Sequence, residues 1–354
     1  EMLMLIGVCW LITAAVSAAR HLELGGAIGE GSFGAVYRAR LDGAPCVAKR
    51  AAAGERAAQF FETEAHVNRQ LVRRRAGGGS AVLRPSCIAS YIGEFEASGQ
   101  LHLVWERCGE ATLGEYLERG DEGRVELTAA LGCVASELPR RTLQLVLEAL
   151  AHIHSLGVVH RDVKPHNLLV DTRGRTLALI DFGSACDVAG WVVQRGLEAG
   201  RVPCSVLYCP PEQLLAVRQP FTYDVYSAGL LWLRLALPAL TEEGLYALRL
   251  SLRDKRHDLA AWRIDAAAAD ALPDAWESAF PLDGEAWQLL CGLMAPVPAD
   301  RPVAAEALLS PFLNADCHST GEPTPAPLPW TLDAVVAGTT AAPRRIVAEE
   351  CGLD

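Results

Sequence analysis

Val159-His160-Arg161-Asp162-Val163-Lys164-Pro165-His166-Asn167 is the stretch that decides the fold. It sets a carboxylate (Asp162), an ammonium (Lys164) and a carboxamide (Asn167) at fixed offsets in nine residues. The carboxylate can orient a hydroxyl and take its proton. The ammonium can neutralise charge on a group in transfer, and the carboxamide oxygen can hold a hard cation. Six specified residues in the order H-R-D-x-K-P-x-N arise by chance in about one chain in 10⁵ of this length. A charged surface loop after an apolar helix is therefore a poor account of it.

Downstream, Leu168-Leu169-Val170 is apolar strand, and Leu177 to Ile180 leads into Asp181-Phe182-Gly183. A loop from Ser184 to Cys209 follows, closed by Pro210-Pro211-Glu212; it holds no Thr, leaving Ser184 and Ser205 as its aliphatic hydroxyls. Asp224-Val225-Tyr226-Ser227-Ala228-Gly229 opens a further helix, and Ala299-Asp300-Arg301-Pro302 stands further downstream. Upstream, Pro139 to Leu156 has apolar residues at helical spacing and runs straight into the central stretch. A globular core is expected to end near Phe312.

The N-terminal part reads as mostly strand. Leu24 to Arg40 is strand, turn, strand around Gly29-Glu30-Gly31-Ser32-Phe33-Gly34-Ala35-Val36. Three glycines at that spacing occur by chance in roughly a fifth of chains this rich in glycine, so context must decide. No helix opens at the third glycine, which disfavours a dinucleotide-binding turn. Bare backbone there would allow close approach to phosphates. Pro45-Cys46-Val47-Ala48-Lys49 is a short strand ending in lysine. A helix from Glu55 to Leu71 offers Glu64, with Glu62 second, as a partner for Lys49; Glu64, Val67 and Leu71 share a face. Arg73-Arg74-Arg75 and the glycines at 77–79 read as a basic connector. Strands follow over Cys87 to Phe95 and Leu101 to Trp105.

Composition bounds the class. The chain has 354 residues, 51% of them hydrophobic and 21% charged, so it is folded and long enough for two lobes. With 32 Lys and Arg against 43 Asp and Glu, the net charge of −11 argues against general nucleic-acid binding. Eleven cysteines are scattered with no C-x-x-C pair, which fits free thiols in a reducing compartment better than a disulfide framework or zinc site.

Met2 to Ala19 carries no charge and ends at Arg20-His21. It is just long enough to span a bilayer, and no initiator Met stands first, so the chain is expected to continue upstream. The reading is a membrane anchor, with Arg20, Arg38 and Arg40 putting the folded part on the cytosol-equivalent side. Gly321 to Pro329 is a Pro-rich linker, and Trp330 to Asp354 a tail of unassigned role.

Taken together, H-R-D-x-K-P-x-N, D-F-G, P-P-E and G-x-G-x-x-G-x-V resemble the protein kinase signature set. More narrowly, Ile88 to Glu96, Leu103 to Leu117, Tyr208 to Gln213, Tyr226 to Gly229 and His257 to Arg263 resemble the chloroplast state-transition kinases. Those are thylakoid serine/threonine kinases acting on light-harvesting and photosystem II proteins from the stromal side. The resemblance implies an α+β, bilobal fold: a candidate anchor over 1–21, a β-rich small lobe over 22–105, a mainly helical large lobe over 106–313, and a linker and tail over 314–354.

It also implies site roles. Asp162 would orient the acceptor hydroxyl, Lys164 would neutralise charge, and Lys49, held by Glu64, would reach the ATP phosphates. Gly29, Gly31, Ser32, Phe33 and Gly34 would cover the phosphates. Val36 and Val47 would roof the adenine, Leu169 would floor it, and backbone groups from Glu106 to Cys108 would face its edge. Trp105 would block the pocket behind it, and Asn167 and Asp181 would hold Mg²⁺. Asp224 would hold the catalytic loop's backbone, Arg301 would pair with Glu212, the Ser205 hydroxyl would meet Asp162 and Lys164, and Arg161 could in principle hold a phosphorylated loop residue. Protein hydroxyls would be the acceptors. The rival class is an inactive scaffold of the same fold, disfavoured because Lys49, Asp162 and Asp181 are all present.

Overall fold

The computed structural model describes residues 20–31, 33–77, 87–188, 205–212, 215–216 and 218–314. The anchor reading of Met2 to Ala19, the tail and Ser32 lie outside the described residues. Among the described residues, no helix is long and apolar enough to cross a membrane.

The first half is an antiparallel sheet of five strands in the order β1-β2-β3-β5-β4. These are β1 (Leu22–Gly31), β2 (Gly34–Leu41), β3 (Ala44–Ala51), β4 (Tyr91–Ala97) and β5 (Gln100–Glu106). Alternation sorts the two faces of the sheet. Cys46, Ala48 and Val104 bury in an outer cluster with Leu22, Ala39 and Leu41. Leu103 points the other way, onto Phe61 and Ala65 of helix α1 (Glu55–Gly77).

Two boundaries differ from the sequence reading. Helix α1 continues six residues beyond Leu71, so Arg73 and Arg74 are helical and not a connector. Arginine is a good helix former, and no breaker intervenes before the glycines. Cys87 and Ile88 leave the sheet: both bury in the large-lobe core, with Ile88 bridged in parallel to Leu179, and β4 starts only at Tyr91. Burial against the second half outweighed their strand pattern.

The second half is helical. The short helices α2 (Leu113–Glu118) and α3 (Gly120–Leu131) lead to α4 (Leu138–Ser155). A capping box starts α2: the Thr112 hydroxyl accepts from the Glu115 amide and the Glu115 carboxylate accepts from the Thr112 amide. In α4, Leu143, Val146, Leu147, Leu150 and Ile153 form one buried stripe. It packs on α5 (Thr222–Ala236), where Trp232 is 1% exposed and meets the ring of Phe280 at 5.1 Å. Each such side chain contributes roughly 1.5–3 kcal/mol by burial, making α4 and α5 the mast of this half. Four small strands lie on top: β6 (Val158–Val159) pairs β9 (Cys186–Asp187), and β7 (Leu168–Asp171) pairs β8 (Thr176–Leu179). The chemistry-bearing residues sit on these strands and in the cleft beneath the sheet.

Candidate active site

Helix α4 ends at a turn through Gly157, at φ +75°, and β6 then delivers the chain into the loop His160–Asn167. A loop this rich in polar backbone cannot be buried without partners. Asp224, at 0% exposure on α5, supplies them: its carboxylate accepts from the amides of His160 and Arg161, both at 2.8 Å, and meets His154 Nε2 at 2.9 Å. Burial alone would raise the Asp224 pKa, but these donors hold it below the usual carboxylate range. His160 Nε2 faces the Ile180 carbonyl at 2.9 Å, which makes that nitrogen the protonated one.

Asp162 is thereby presented to the cleft. Its Oδ2 accepts from Lys164 Nζ at 2.6 Å and from Asn167 Nδ2 at 2.9 Å, while Oδ1 accepts from the Ser205 amide at 2.9 Å. The expected partner was the Ser205 hydroxyl; the backbone N–H makes the contact instead, so it does not depend on the side chain. Arg161, at φ +67° and 6% exposed, gives its guanidinium to the carbonyls of Ser184 and Ala185. It is engaged in the segment's base and is not held out for a phosphate.

Across the cleft, Lys49 Nζ lies 2.7 Å from Glu64 and 2.8 Å from Asp181 Oδ1. Glu64, not Glu62, is the partner: it is 2% exposed on α1, whereas Glu62 faces solvent. Burial works against the Lys49 charge, yet the two carboxylates more than offset it and push its pKa above the ordinary lysine range. Asp181 is also opposed by burial, and Lys49, with His160 and Lys164, keeps it below its ordinary value. Asp181 stands at φ +63°, a left-handed position that costs a non-glycine residue energy and is retained at sites that need the side chain there.

Gly29 and Gly31 have open space where a side chain would project, whereas a Cβ on Gly34 would overlap the Arg50 carbonyl oxygen of β3. The first two leave room for a ligand; the third is dictated by the neighbouring strand. Val36 and Val47 are half-buried on the same side of the sheet as Lys49. Leu169 lies opposite, on β7, bridged to Thr112. The Glu106 amide donates to Ser90, while among the described residues no backbone carbonyl takes the Cys108 amide. Phe33 at the tip of the glycine loop stacks on Phe60 of α1, ring centroids 4.2 Å apart. A cavity of about 250 Å³ remains beneath, lined by these two rings, Phe61, Lys49, Glu64, Asp162, Lys164, Asp181, Ser184 and Ser205.

The donors present fit Mg²⁺. Asn167 Nδ2 is committed to the Asp162 carbonyl and carboxylate, which leaves its Oδ1 as the free end of the amide. Asp181 engages Lys49 through Oδ1 alone, and its side chain is 40% exposed to the cleft. One carboxylate and one amide oxygen, completed by phosphate oxygens and water, are a usual magnesium set. Among the described residues, no three His, Cys, Asp or Glu side chains form a cage of their own.

Sequence reading missed Phe60 and Phe61, though Phe60 stands four residues before Glu64 and so on its face of the helix. It also missed Asn68, discussed below. Arg301 does clasp Glu212, at 2.7 and 2.9 Å.

A β-rich half, a helical half and a lysine–carboxylate cleft between them define a bilobal kinase fold. Residues 22–313 match the model of the protein kinase domain, and the chain belongs to that family. It is similar to serine/threonine-protein kinase STN7, chloroplastic, of Arabidopsis thaliana, 26% identical over 331 residues covering 82% of this chain and 57% of that protein. It is also similar to serine/threonine-protein kinase STN8, chloroplastic, of the same plant, 29% identical with 75% and 59% covered. The chain thus spans less than three fifths of the length of these curated relatives. Among solved structures, a Stt7 homolog from Micromonas algae soaked with ATP superposes with TM-score 0.70 at 25% identity, covering 84% of this chain and 94% of that one.

Proposed function

We propose that the chain transfers the γ-phosphoryl group of ATP to serine or threonine hydroxyls of proteins. The observation that carries this reading is the arrangement of Asp162: three donors fix both its oxygens, while Lys49 and Asp181 stand across the same cavity. In this reading Lys49, charged and held by Glu64, takes the phosphates, with the backbone of Gly29 and Gly31 above them. Val36, Val47, Leu169 and the Cys108 amide receive the adenine, Asn167 Oδ1 and Asp181 hold the metal, and Ser32 would join the phosphate cover. A bound Mg²⁺ would neutralise phosphate charge as the bond to the leaving oxygen breaks. Asp162 orients the acceptor hydroxyl, whose oxygen attacks the γ-phosphorus, and receives its proton. Lys164 offsets charge on the group in transit. Most of the rate gain is positioning and electrostatics.

The test is transfer of labelled phosphate from ATP with Mg²⁺ to a general acceptor protein. D162N is expected to lose at least about a hundredfold in kcat while still binding nucleotide. Binding without transfer in the unaltered chain would instead favour an inactive scaffold.

The finer reading is a kinase tethered to a chloroplast membrane through Met2 to Ala19, acting on light-harvesting or photosystem II proteins. It is supported by the chloroplast relatives and by the uncharged run in the sequence. Flotation of the full chain with lipid vesicles, lost on deleting residues 2–19, tests the tether. Phosphorylation of isolated thylakoid proteins tests the substrate.

A further inference from the structure

The helix that carries Glu64 is fastened to the catalytic half by a carboxylate that the proposed reaction does not use. Asp187 ends β9, six residues after Asp181, and its side chain is 1% exposed. Arg74, ten residues after Glu64 on α1, donates from Nη2 to Asp187 Oδ2 at 2.9 Å. Its other arm, Nη1, donates to the carbonyl of Leu156, in the turn before the catalytic loop. His66, two residues after Glu64, brings Nε2 to 3.5 Å from the same Asp187 oxygen. One buried carboxylate therefore holds the Arg74 end of α1, with the His66 ring nearby, and the same arginine reaches the end of α4.

The position of this helix decides whether Glu64 meets Lys49 and so whether Lys49 is aimed at the phosphates. In kinases generally, a phosphate on the activation segment paired with arginine can control that position. Here, residues 185–204 contain no Ser, Thr or Tyr. Ser184 is 7% exposed, Ser205 lies with its amide against Asp162, and the Arg161 guanidinium is given to backbone carbonyls. Meanwhile Lys49 and Glu64 are already 2.7 Å apart. The segment has a built-in anion in contact with the helix and few places to add another.

We propose that Asp187 is a positioning residue: its carboxylate holds α1 through Arg74, so that the Lys49–Glu64 pair forms with no phosphate on the activation segment. The proposal rests on the kinase reading above and extends it to regulation.

Phosphate transfer and α1 hydrogen exchange, measured on the full chain, test it. Wild type is expected to transfer at the same rate before and after phosphatase treatment. D187N, and R74Q as a second variant should D187N not fold, should lose roughly ten- to a hundredfold in kcat/KM for ATP. Because Asp187 acts only through Glu64, adding D187N to E64Q should change the rate less than about twofold. Exchange over residues 55–77 should quicken in D187N while that of α4 stays unchanged. The proposal is overturned by D187N and R74Q matching wild type, by their effects multiplying with E64Q, by exchange rising equally across the chain, or by phosphatase abolishing wild-type activity. If wild type transfers nothing, the kinase reading fails, and the exchange of α1 still decides whether Asp187 holds the helix.

Discussion

The indole N–H of Trp105 donates to the side-chain oxygen of Asn68 at 3.2 Å, joining the wall of the cleft to the helix that carries Glu64. Asn68 is 2% exposed and its Nδ2 donates to the Glu64 carbonyl at 2.9 Å, so both ends of the amide are satisfied. Turning the amide over would set oxygen against oxygen and N–H against N–H, so the two partners fix its orientation. A polar residue on the buried face of a helix is tolerated only on such terms.

The pair should therefore behave as a unit. N68L leaves the indole N–H without an acceptor, and W105F leaves the carboxamide oxygen without a donor; each is expected to cost about 1–3 kcal/mol. The double variant W105F/N68L removes both groups and should recover most of that loss. Urea unfolding of the four proteins measures the coupling, and simple additivity would contradict it.

Trp105 also packs at 5.5 Å on the Tyr91 ring, filling the space between α1 and β5. ATP-competitive ligands with a bulky group directed behind the adenine should bind the wild type poorly. W105A is expected to bind them at least about tenfold tighter, from the volume released, with ATP affinity changing much less. Calorimetric titration with one such ligand decides it; tight binding to wild type would mean that Trp105 is not where the pocket ends.

Asp224 predicts an acid-side signature. Its pKa is held below the reference 3.8, so its stabilisation is fully present above that pH and is lost as the pH falls through the lower, folded-state value. D224N should be less stable by about 3 kcal/mol at pH 7, having surrendered charge-assisted bonds to two backbone amides and a histidine. The gap in Tm between the two proteins should narrow below about pH 4. A gap constant with pH would show that the carboxylate charge is not what holds the loop.

His102 has the opposite chemistry. Burial in the outer cluster of the sheet lowers its pKa from 6.5, with the Gln100 carbonyl at 2.9 Å only partly compensating. The unfolded chain therefore binds a proton that the folded one resists, and stability should fall as pH drops below 6.5, by at most about 1.4 kcal/mol per pH unit. H102F, beside Tyr37 and Phe95, should flatten that slope in thermal melts between pH 5 and 7.

Much of the site was legible because its chemistry is local in sequence. Asp162, Lys164 and Asn167 stand within six residues, and Asp181 follows the β7–β8 hairpin directly. Glu64 over Glu62 was readable from helical phase with Val67 and Leu71. What escaped was set by contacts between distant segments. Arg74 reads as one of three exposed arginines until α1 is seen to reach Asp187, 113 positions away. The offsets of Cys87 and Ile88 match a strand, yet the helical core claimed both. Arg161 looks available in sequence because nothing near it reveals that Ser184 and Ala185 turn their carbonyls onto it.

Gly34 bears on how such chains age. Its hydrogen is demanded by the Arg50 carbonyl next door, whether or not any nucleotide ever enters the cleft, while Gly29 and Gly31 face empty space. A descendant released from catalysis would be free to mutate the first two and would still have to keep the third. Retention of that single glycine is a record of β-sheet geometry, and only its two companions testify to surviving enzymatic use.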